Sequence, residues 1–466
     1  MSLLTDAITW ASDAVWGPWN LGPPIGPVPG PLVVLLMVVG VFLTLRCRFV
    51  QVRRFAEALR TIVPKQSGAR GVLSPFQAFM TALAASIGTG NIAGVATAVV
   101  AGGPGAVFWI WCYGFFATAT KFAEAVLGVS FRGVRGGVTL SGPMYYLRDG
   151  LKSPRLAWAY ALIAGVAALT TTPFTQPNSI ALAMSNVFPS GMVAIPWLGD
   201  VPRTALISGV VVAVLTWLVI IGGVTSIGRA VEKLSPLKVS LYLAGGLFVI
   251  GVNAARLPDV FASIFREAFS VRAATGTAAG MALMVGMRYG LARGVYANEA
   301  GYGTAAVAYG TARSDYPAQQ GLNAVIEVFT VSFLTSSISA LTILVTGVWT
   351  SGLNSTAAVA GAFNSAIPVA GGWIVALCAF LFGYTTLIGW AYYGEQFFEY
   401  ILGVRVTKTY RWIYCLLIVF GAAAKVETVW AWGDLMNGLQ VFPNIVGLLG
   451  LSGLVATAAA SRRAKA

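Results

Sequence analysis

Residues 86–94 have the sequence Ser-Ile-Gly-Thr-Gly-Asn-Ile-Ala-Gly and lie within an apolar segment that runs from Phe76 to Val100. That segment is long enough to cross a bilayer, because about 20 apolar residues in a helix span the hydrocarbon core. Its glycines weaken the helix at a depth where lipid cannot hydrogen-bond the freed peptide groups. Such an interruption is tolerated where it lines a cavity or a ligand, so the segment predicts a binding site inside a membrane protein.

The composition of the whole chain agrees with this class. Of its 466 residues, 57% are hydrophobic and 10% are charged, whereas a soluble domain carries about 25% charged residues. Eleven apolar runs are expected to span the membrane: 28–46, 74–101, 104–128, 156–187, 204–223, 236–253, 273–292, 320–347, 370–398, 410–424 and 432–458. The sequence therefore predicts an all-α membrane protein with about 11 transmembrane helices in the cell (inner or plasma) membrane.

The net charge of +14 follows the positive-inside pattern. Basic residues are concentrated in six segments that lie on one side of the predicted membrane: 46–70, 132–155, 229–238, 288–313, 405–411 and 462–465. The first 45 residues contain no Lys or Arg. We therefore expect an external N-terminus and a cytoplasmic C-terminus, and we interpret the charge as a determinant of topology rather than as a nucleic-acid surface.

The absence of histidine limits the chemistry that the chain could perform. It removes histidine-ligated zinc sites and Ser-His-Asp triads, and the four cysteines are scattered without a CxxC motif. We therefore expect no enzymatic activity and no organic cofactor.

Ten of the expected spans divide into two sets of five, which would give the sets opposite orientations, as in an inverted repeat. We expect the following division: an external amphipathic segment (1–27), an extra transmembrane helix with a basic cytoplasmic loop (28–73), a first five-helix repeat (74–253), a second five-helix inverted repeat (254–458) and a cytoplasmic tail (459–466). The spans 74–101 and 273–292 then occupy corresponding positions, and both contain glycines. In the second span, Gly276 and Gly280 suggest a second broken helix, although close helix packing through small residues is the alternative.

An unwound segment at Gly88 would direct the peptide N–H groups of Thr89, Gly90 and Asn91 into a cavity, where they favour a carboxylate. The carbonyl groups that end the preceding half-helix would favour a cation. Neither glycine-containing span carries an ionisable side chain at its centre, so hard oxygen ligands favour Na⁺ over a proton as the coupling ion. Four glutamates in or near other spans keep a proton possible: Glu124, Glu327, Glu395 and Glu399. An ion pair at a helix end, such as Lys121 with Glu124, is their alternative role.

Three further positions carry candidate functional groups. Gln176 offers a donor and an acceptor that suit a zwitterion, with interhelical hydrogen bonding as the alternative. Thr386 and Trp390 share a helix face, which suits a sodium ligand beside a wall that limits substrate size; a threonine bonded to its own backbone is the alternative. The glycine-rich segment 298–304 is expected to be an inner loop that acts as a gate or hinge, or a simple tight turn.

Several stretches together resemble the alanine/glycine:cation symporter family. They are Gly88-Thr89-Gly90-Asn91-Ile92-Ala93-Gly94-Val95-Ala96, Gly142-Pro143-Met144-Tyr145-Tyr146, Gln176 with Asn178-Ser179, Arg293-Gly294 with Asn298-Glu299-Ala300-Gly301, and Thr385-Thr386 with Trp390. The resemblance implies a fold like that of the neurotransmitter:sodium symporters, with a five-plus-five inverted repeat and one extra N-terminal helix. It also implies sodium-coupled uptake of alanine or glycine.

By this resemblance, the substrate carboxylate would contact Thr89, Gly90 and Asn91, and the pocket would be lined by Gln176 and Trp390. Sodium would be held by Ala84, Ile87, Thr385 and Thr386 through carbonyl and hydroxyl oxygens. The second break would be marked by Gly276 and Gly280. Pro177 stands where the family has a small residue, which could shift Gln176 and alter substrate preference.

The sequence thus predicts a secondary active transporter that moves a small neutral amino acid into the cell with Na⁺ by alternating access. A proton-coupled carrier of another small solute, or a channel, is the alternative.

Overall fold

The computed structural model describes residues 2–17, 19–20, 27–62, 71–135, 138–196, 199–269, 278–424 and 426–461. Most of them lie in α-helices, and the short strands form three two-stranded antiparallel hairpins. The predicted helical architecture is therefore confirmed, with the hairpins as additions in the connecting segments.

The first helices are α1 (Ser2–Trp16), α2 (Pro31–Arg46), α3 (Val50–Arg53) and α4 (Phe55–Thr61), with strands β1 (Trp19–Asn20) and β2 (Pro27–Val28). The next group comprises α5 (Pro75–Ser86), α6 (Ala93–Gly102), α7 (Gly105–Ser130), α8 (Pro143–Tyr145), α9 (Pro154–Thr170), α10 (Thr172–Val187), α11 (Arg203–Ile220), α12 (Gly223–Val252) and α13 (Leu257–Phe269). Its strands are β3 (Gly133–Arg135), β4 (Val138–Leu140), β5 (Met192–Ile195) and β6 (Gly199–Pro202).

The remaining helices are α14 (Ala278–Asn298), α15 (Thr304–Gly310), α16 (Pro317–Val328), α17 (Ser336–Thr346), α18 (Ser355–Ala366), α19 (Ala370–Leu402), α20 (Thr407–Ala423), α21 (Val426–Gly450) and α22 (Ser452–Ala460). Single 3₁₀ turns lie at Thr89–Asn91, Ala254–Arg256, Val348–Thr350 and Val404–Val406. Wider π-helical turns lie at Tyr146–Gly150 and Phe329–Thr335.

Several helix starts follow directly from the sequence. Proline occupies the first position of α2, α5, α9 and α16, where its missing N–H costs no intrahelical bond and its φ angle is already helical. Helix α5 also has a capping box, in which Ser74 and Gln77 exchange side-chain to backbone hydrogen bonds.

Within the described residues, five helical segments are long and apolar enough to cross a membrane. They are Pro154–Ser185, Arg203–Ile220, Gly223–Val252, Pro317–Thr346 and Ala370–Leu402. Two bent pairs, Pro75–Ser86 with Thr89–Gly102 and Val429–Gly450 with Ser452–Ala460, raise the number to as many as seven. Each of the eleven expected spans contains a helix, but eleven membrane crossings and the inverted repeat stay predictions.

Two segments expected to be inner loops differ from that expectation. Helix α12 begins at Gly223 rather than at residue 236, so Lys238, expected in an inner loop, lies inside a long helix. The segment 298–304, also expected to be an inner loop, is a turn between α14 and α15, but it is buried in the protein. Lys238 and the segment 298–304 are buried against other helices, and a hydropathy profile does not distinguish such burial from exposure in a loop.

Helices α7 and α19 form the centre of the molecule. The side chains of α7 from Ala117 to Val129 are all buried, and α7 packs against α14, α15, α16 and α2. Helix α19 packs against α5, α9, α10, α12 and α18. By contrast, α11 exposes Ile207, Val211 and Leu218, as expected of a helix that faces lipid.

Candidate functional site

The first predicted helix break is present. Helix α5 ends at Ser86, the backbone at Ile87 and Gly88 is not helical, and α6 starts at Ala93 after one 3₁₀ turn. The two helical parts meet at an angle of 60°. A Cβ atom at Gly88 would lie 2.9 Å from Thr386 Oγ1 and 3.2 Å from Gln176 Oε1, so glycine allows both side chains to approach the unwound backbone.

Side chains from other helices satisfy the peptide groups that this break frees. The Thr89 backbone N–H and hydroxyl both donate to Gln176 Oε1, at 3.1 and 2.9 Å. The Thr386 hydroxyl donates to the carbonyls of Ala84 and Ala85, at 3.0 and 3.2 Å. Buried backbone groups need such partners, so α10 and α19 hold the break in its shape.

The predicted second break at Gly276 and Gly280 lies partly outside the described residues. Gly276 lies outside the described residues, and Gly280 lies in the first turn of α14, which continues without interruption to Asn298. Gly286 and Gly290, further along this helix, pack against the backbone at Gly102 and Ala106. The alternative of close helix packing therefore applies to these two, because a side chain at either would collide with the neighbouring helix.

Within the described residues, an interruption follows Asn298. Three residues take a positive φ in quick succession: Glu299 (+53°), Gly301 (+96°) and Gly303 (+86°). Glycine adopts such angles freely, whereas a glutamate in this region is uncommon and costs conformational energy. The segment expected to be a gate or a tight turn is thus a buried helix break, and α15 continues beyond it.

A carboxylate from α7 stabilises this second break. Glu124 Oε1 accepts hydrogen bonds from the N–H groups of Gly301 (2.8 Å) and Gly303 (3.0 Å) and from Asn444 Nδ2 (3.0 Å). A negative charge is favourable where unpaired N–H groups begin a helix. The suggested ion pair between Lys121 and Glu124 is wrong, because the salt bridge of Lys121 is with Glu327, at 2.9 Å.

Glu327 and Lys121 link the two breaks. The Ser86 hydroxyl, at the end of α5, donates to Glu327 Oε1. The Tyr309 hydroxyl, in α15, donates to Glu327 Oε2 at 2.9 Å. Lys121 and Glu327 are 1% and 0% exposed, so this ion pair lies in the protein interior rather than at a helix end. Glu395 pairs with Arg411 at 2.8 Å, and Glu399 accepts from Gln396.

A cavity lies between the two breaks. Its volume is about 20 Å³. It is lined by Ala85, Ser86, Gly88, Gly90, Asn91, Thr171, Thr172, Gln176, Tyr296, Ala297, Glu299, Tyr302, Thr386, Trp390 and Asn437. The space holds about one water molecule, so a larger solute requires the lining helices to move apart.

Most residues predicted to bind substrate meet at this cavity. Gly90, Asn91, Gln176, Thr386 and Trp390 line it. Thr89 is buried directly behind it, where its hydrogen bonds orient the amide of Gln176. The structure thus brings together groups from three parts of the sequence, as the prediction requires; their contact with a substrate stays a prediction.

Glu299 is a cavity residue that the sequence analysis did not assign to the site. Its Oε1 accepts from Trp390 Nε1 at 2.7 Å, and its Oε2 accepts from Thr304 Oγ1 at 3.0 Å. The side chain is only 6% exposed. The sequence could have indicated Glu299, because it is a glutamate close to two glycines in a mostly apolar region. Buried charged residues are typical of functional sites in membrane proteins.

The predicted sodium ligands also lie close together. The carbonyl oxygens of Ala84 and Ile87 and the Thr385 hydroxyl all contact the Lys238 ammonium, at 3.2, 2.6 and 2.6 Å. The Thr386 hydroxyl faces the cavity and contacts the Ala84 carbonyl. In this structure the first three of these oxygens accept hydrogen bonds from the side-chain nitrogen of Lys238.

Comparison with known proteins places the chain in a family. A sequence model of the sodium:alanine symporter family matches residues 21–465. The chain belongs to the sodium:alanine symporter family. It is 38% identical to the sodium/alanine symporter AgcS of Methanococcus maripaludis, over 95% of this chain and 93% of AgcS. It is 33% identical to the probable sodium/glutamine symporter GlnT of Bacillus subtilis, over 92% of this chain and 86% of GlnT.

This family member also has the fold of a solved amino-acid complex. The crystal structure of MhsT with L-phenylalanine superposes on it with a TM-score of 0.57 at 14% identity, covering 84% of this chain and 99% of MhsT. The likeness concerns the fold alone. Its membership of the sodium:alanine symporter family makes the protein a multi-pass membrane protein and a secondary transporter, as its sequence predicts.

Proposed function

We propose that the protein carries out sodium-coupled symport of a small neutral amino acid, alanine or glycine, into the cell by alternating access. The observation that carries this proposal is the cavity between two broken helices. The backbone of the turn Thr89–Asn91 and the Gln176 side chain lie on one side of it, and the Glu299 carboxylate lies at the other break. An amino acid presents the matching charges, a carboxylate and an ammonium group.

The proposed substrate orientation follows from charge. The substrate carboxylate would face the N–H groups at the start of the turn Thr89–Asn91, and its ammonium would face Glu299. Trp390 and Tyr296 line the cavity and would limit the size of the substrate side chain. Binding would require this wall to open, and the bends at the two breaks provide the hinges for alternating access.

Sodium as the coupling ion is supported by the hard oxygens at the end of α5. The names of the relatives AgcS and GlnT also pair sodium with alanine and with glutamine. For the topology we keep the external N-terminus and cytoplasmic C-terminus that the basic residues indicate, in the cell membrane.

The direct test is uptake of radiolabelled alanine and glycine into proteoliposomes under inward gradients of Na⁺, Li⁺ or H⁺. We expect concentrative uptake with Na⁺ only. Uptake that follows protons and ignores sodium would overturn the coupling proposal. Flux that never exceeds equilibrium under any gradient would instead indicate a channel.

The substitution Glu299→Gln tests the substrate orientation. A hydrogen bond to a charged group contributes about 1.5–3 kcal/mol, so its loss corresponds to about a 10- to 100-fold rise in the KM for alanine. The amide can still accept from Trp390, which keeps the local structure. The matched control is Glu399→Gln, a buried glutamate 8% exposed and outside the cavity. Equal KM values for Glu299→Gln and the control would exclude Glu299 from substrate binding.

A further inference from the structure

The side chain of Lys238 is completely buried in the middle of α12. Its ammonium donates to Ile87 O and to Thr385 Oγ1, both at 2.6 Å, and to Ala84 O at 3.2 Å. The ring of Phe382 lies beneath it, with 5.3 Å between Nζ and the ring centroid. Three oxygens and one aromatic face therefore surround this single positive charge.

The end of α5 explains why a cation is stable here. The chain leaves the helix at Ser86, so the carbonyls of Ala84 and Ile87 accept no backbone hydrogen bond from a following turn within the described residues. Unpaired carbonyls at a helix C-terminus carry partial negative charge and attract cations. The lysine head group thus fills the position that an unsolvated ion would take.

No acidic side chain contacts Lys238 within the described part of the chain. Helices α5, α17 and α18, which pack against α12, contain no charged residue. On α19, Glu395 and Glu399 lie ten or more positions beyond Thr385, about 15 Å along the helix. On α12 itself, Glu232 lies six positions away and accepts from Gln77. Backbone and hydroxyl dipoles alone therefore hold the charge, as they would hold sodium.

We infer that the Lys238 ammonium and a sodium ion are alternative occupants of one site, so that Lys238 sets the sodium affinity of the transporter. The inference rests on the proposed sodium coupling. Two positive charges cannot share the same oxygen ligands. They would lie about 3 Å apart in a site that excludes water, where their mutual repulsion is strong. Sodium can bind to these ligands only after the lysine side chain has moved away from them.

The test is equilibrium binding of ²²Na⁺ to the purified full-length protein at one fixed pH. Lys238→Met keeps the apolar stem and removes the charge, and Lys233→Met is the matched control on the exposed side of the same helix. We expect Lys238→Met to lower the half-saturating sodium concentration at least tenfold and the control to change it less than twofold. Unchanged or weaker sodium binding by Lys238→Met would overturn the inference.

Lys238→Gln provides a second variant, because its amide can still donate to Ile87 or Thr385 without a positive charge. If Lys238→Met does not elute as a single species in size-exclusion chromatography, the sodium affinity of Lys238→Gln decides between the same two outcomes. Alanine uptake by the wild-type protein is measured in parallel. If the wild type takes up no alanine but the variant binds sodium more tightly, only the proposed function is refuted. If the wild type takes up alanine normally but sodium binding by the variant is unaltered, only the role of Lys238 is refuted.

Discussion

Breaking the buried Lys121–Glu327 ion pair should destabilise the protein strongly, and removing both charges should restore most of the loss. Nζ and Oε1 are 2.9 Å apart, and neither side chain is more than 1% exposed. At an effective dielectric constant of about 20, Coulomb's law gives an attraction of about 6 kcal/mol. Much of this offsets the cost of burying the two charges, so the pair itself adds little net stability.

Removing only one partner leaves that cost without compensation. We expect Lys121→Met to lower the free energy of unfolding by about 3–5 kcal/mol. In this variant Glu327 keeps the hydrogen bonds from Ser86 and Tyr309, which places the expected value at the lower end. The double variant Lys121→Met/Glu327→Gln should lie within about 1–2 kcal/mol of the wild type, since no buried charge is left unpaired.

The assay is unfolding in mixed micelles by titration with dodecyl sulfate, followed by tryptophan fluorescence, for the wild type, both single variants and the double variant. These four proteins form a double-mutant cycle, which yields the coupling energy between positions 121 and 327. A double variant no more stable than Lys121→Met would refute the reasoning. In that case Lys121 would contribute through its packing rather than through its charge.

Two further predictions concern the first break. Gly88→Ala should reduce the initial rate of alanine uptake at least tenfold, because the added methyl group meets the hydroxyl of Thr386 and the amide of Gln176; wild-type uptake kinetics in this variant would show that the break can shift to make room. Thr386→Ala should raise the half-saturating sodium concentration several-fold while costing about 1 kcal/mol of stability, since one hydroxyl to the Ala84 and Ala85 carbonyls is lost. An unchanged apparent sodium affinity would remove Thr386 from the ion site.

The first helix break could be predicted from the sequence because its causes are local. The glycines at 88 and 90 lie inside one apolar segment, and a membrane offers their freed peptide groups no partner except protein. The resemblance to a symporter family then indicated side chains on distant helices, and the structure places most of them around one cavity.

The second break could not be located in this way. Its shape depends on Glu124 and Asn444, which lie 177 and 143 residues away in sequence from Gly301. From the sequence, two different glycine-containing segments could each form the second helix break: Gly276 to Gly280 and Glu299 to Gly303. Only the packing of α14 on α7 shows that glycines within α14 serve close contact and that the chain turns after Asn298.

The amino-acid sequence by itself thus showed that this is a membrane protein, and it gave the helical class, the family and the first unwound segment. Composition and local backbone preference decide these properties. The tertiary structure decided the positions of its buried charges. Lys238 lies 151 residues from Ile87 and 147 from Thr385 in sequence. Whether such a lysine lies in a basic loop or binds at the end of a broken helix depends on which helices pack together, and hydropathy along one chain does not contain that information.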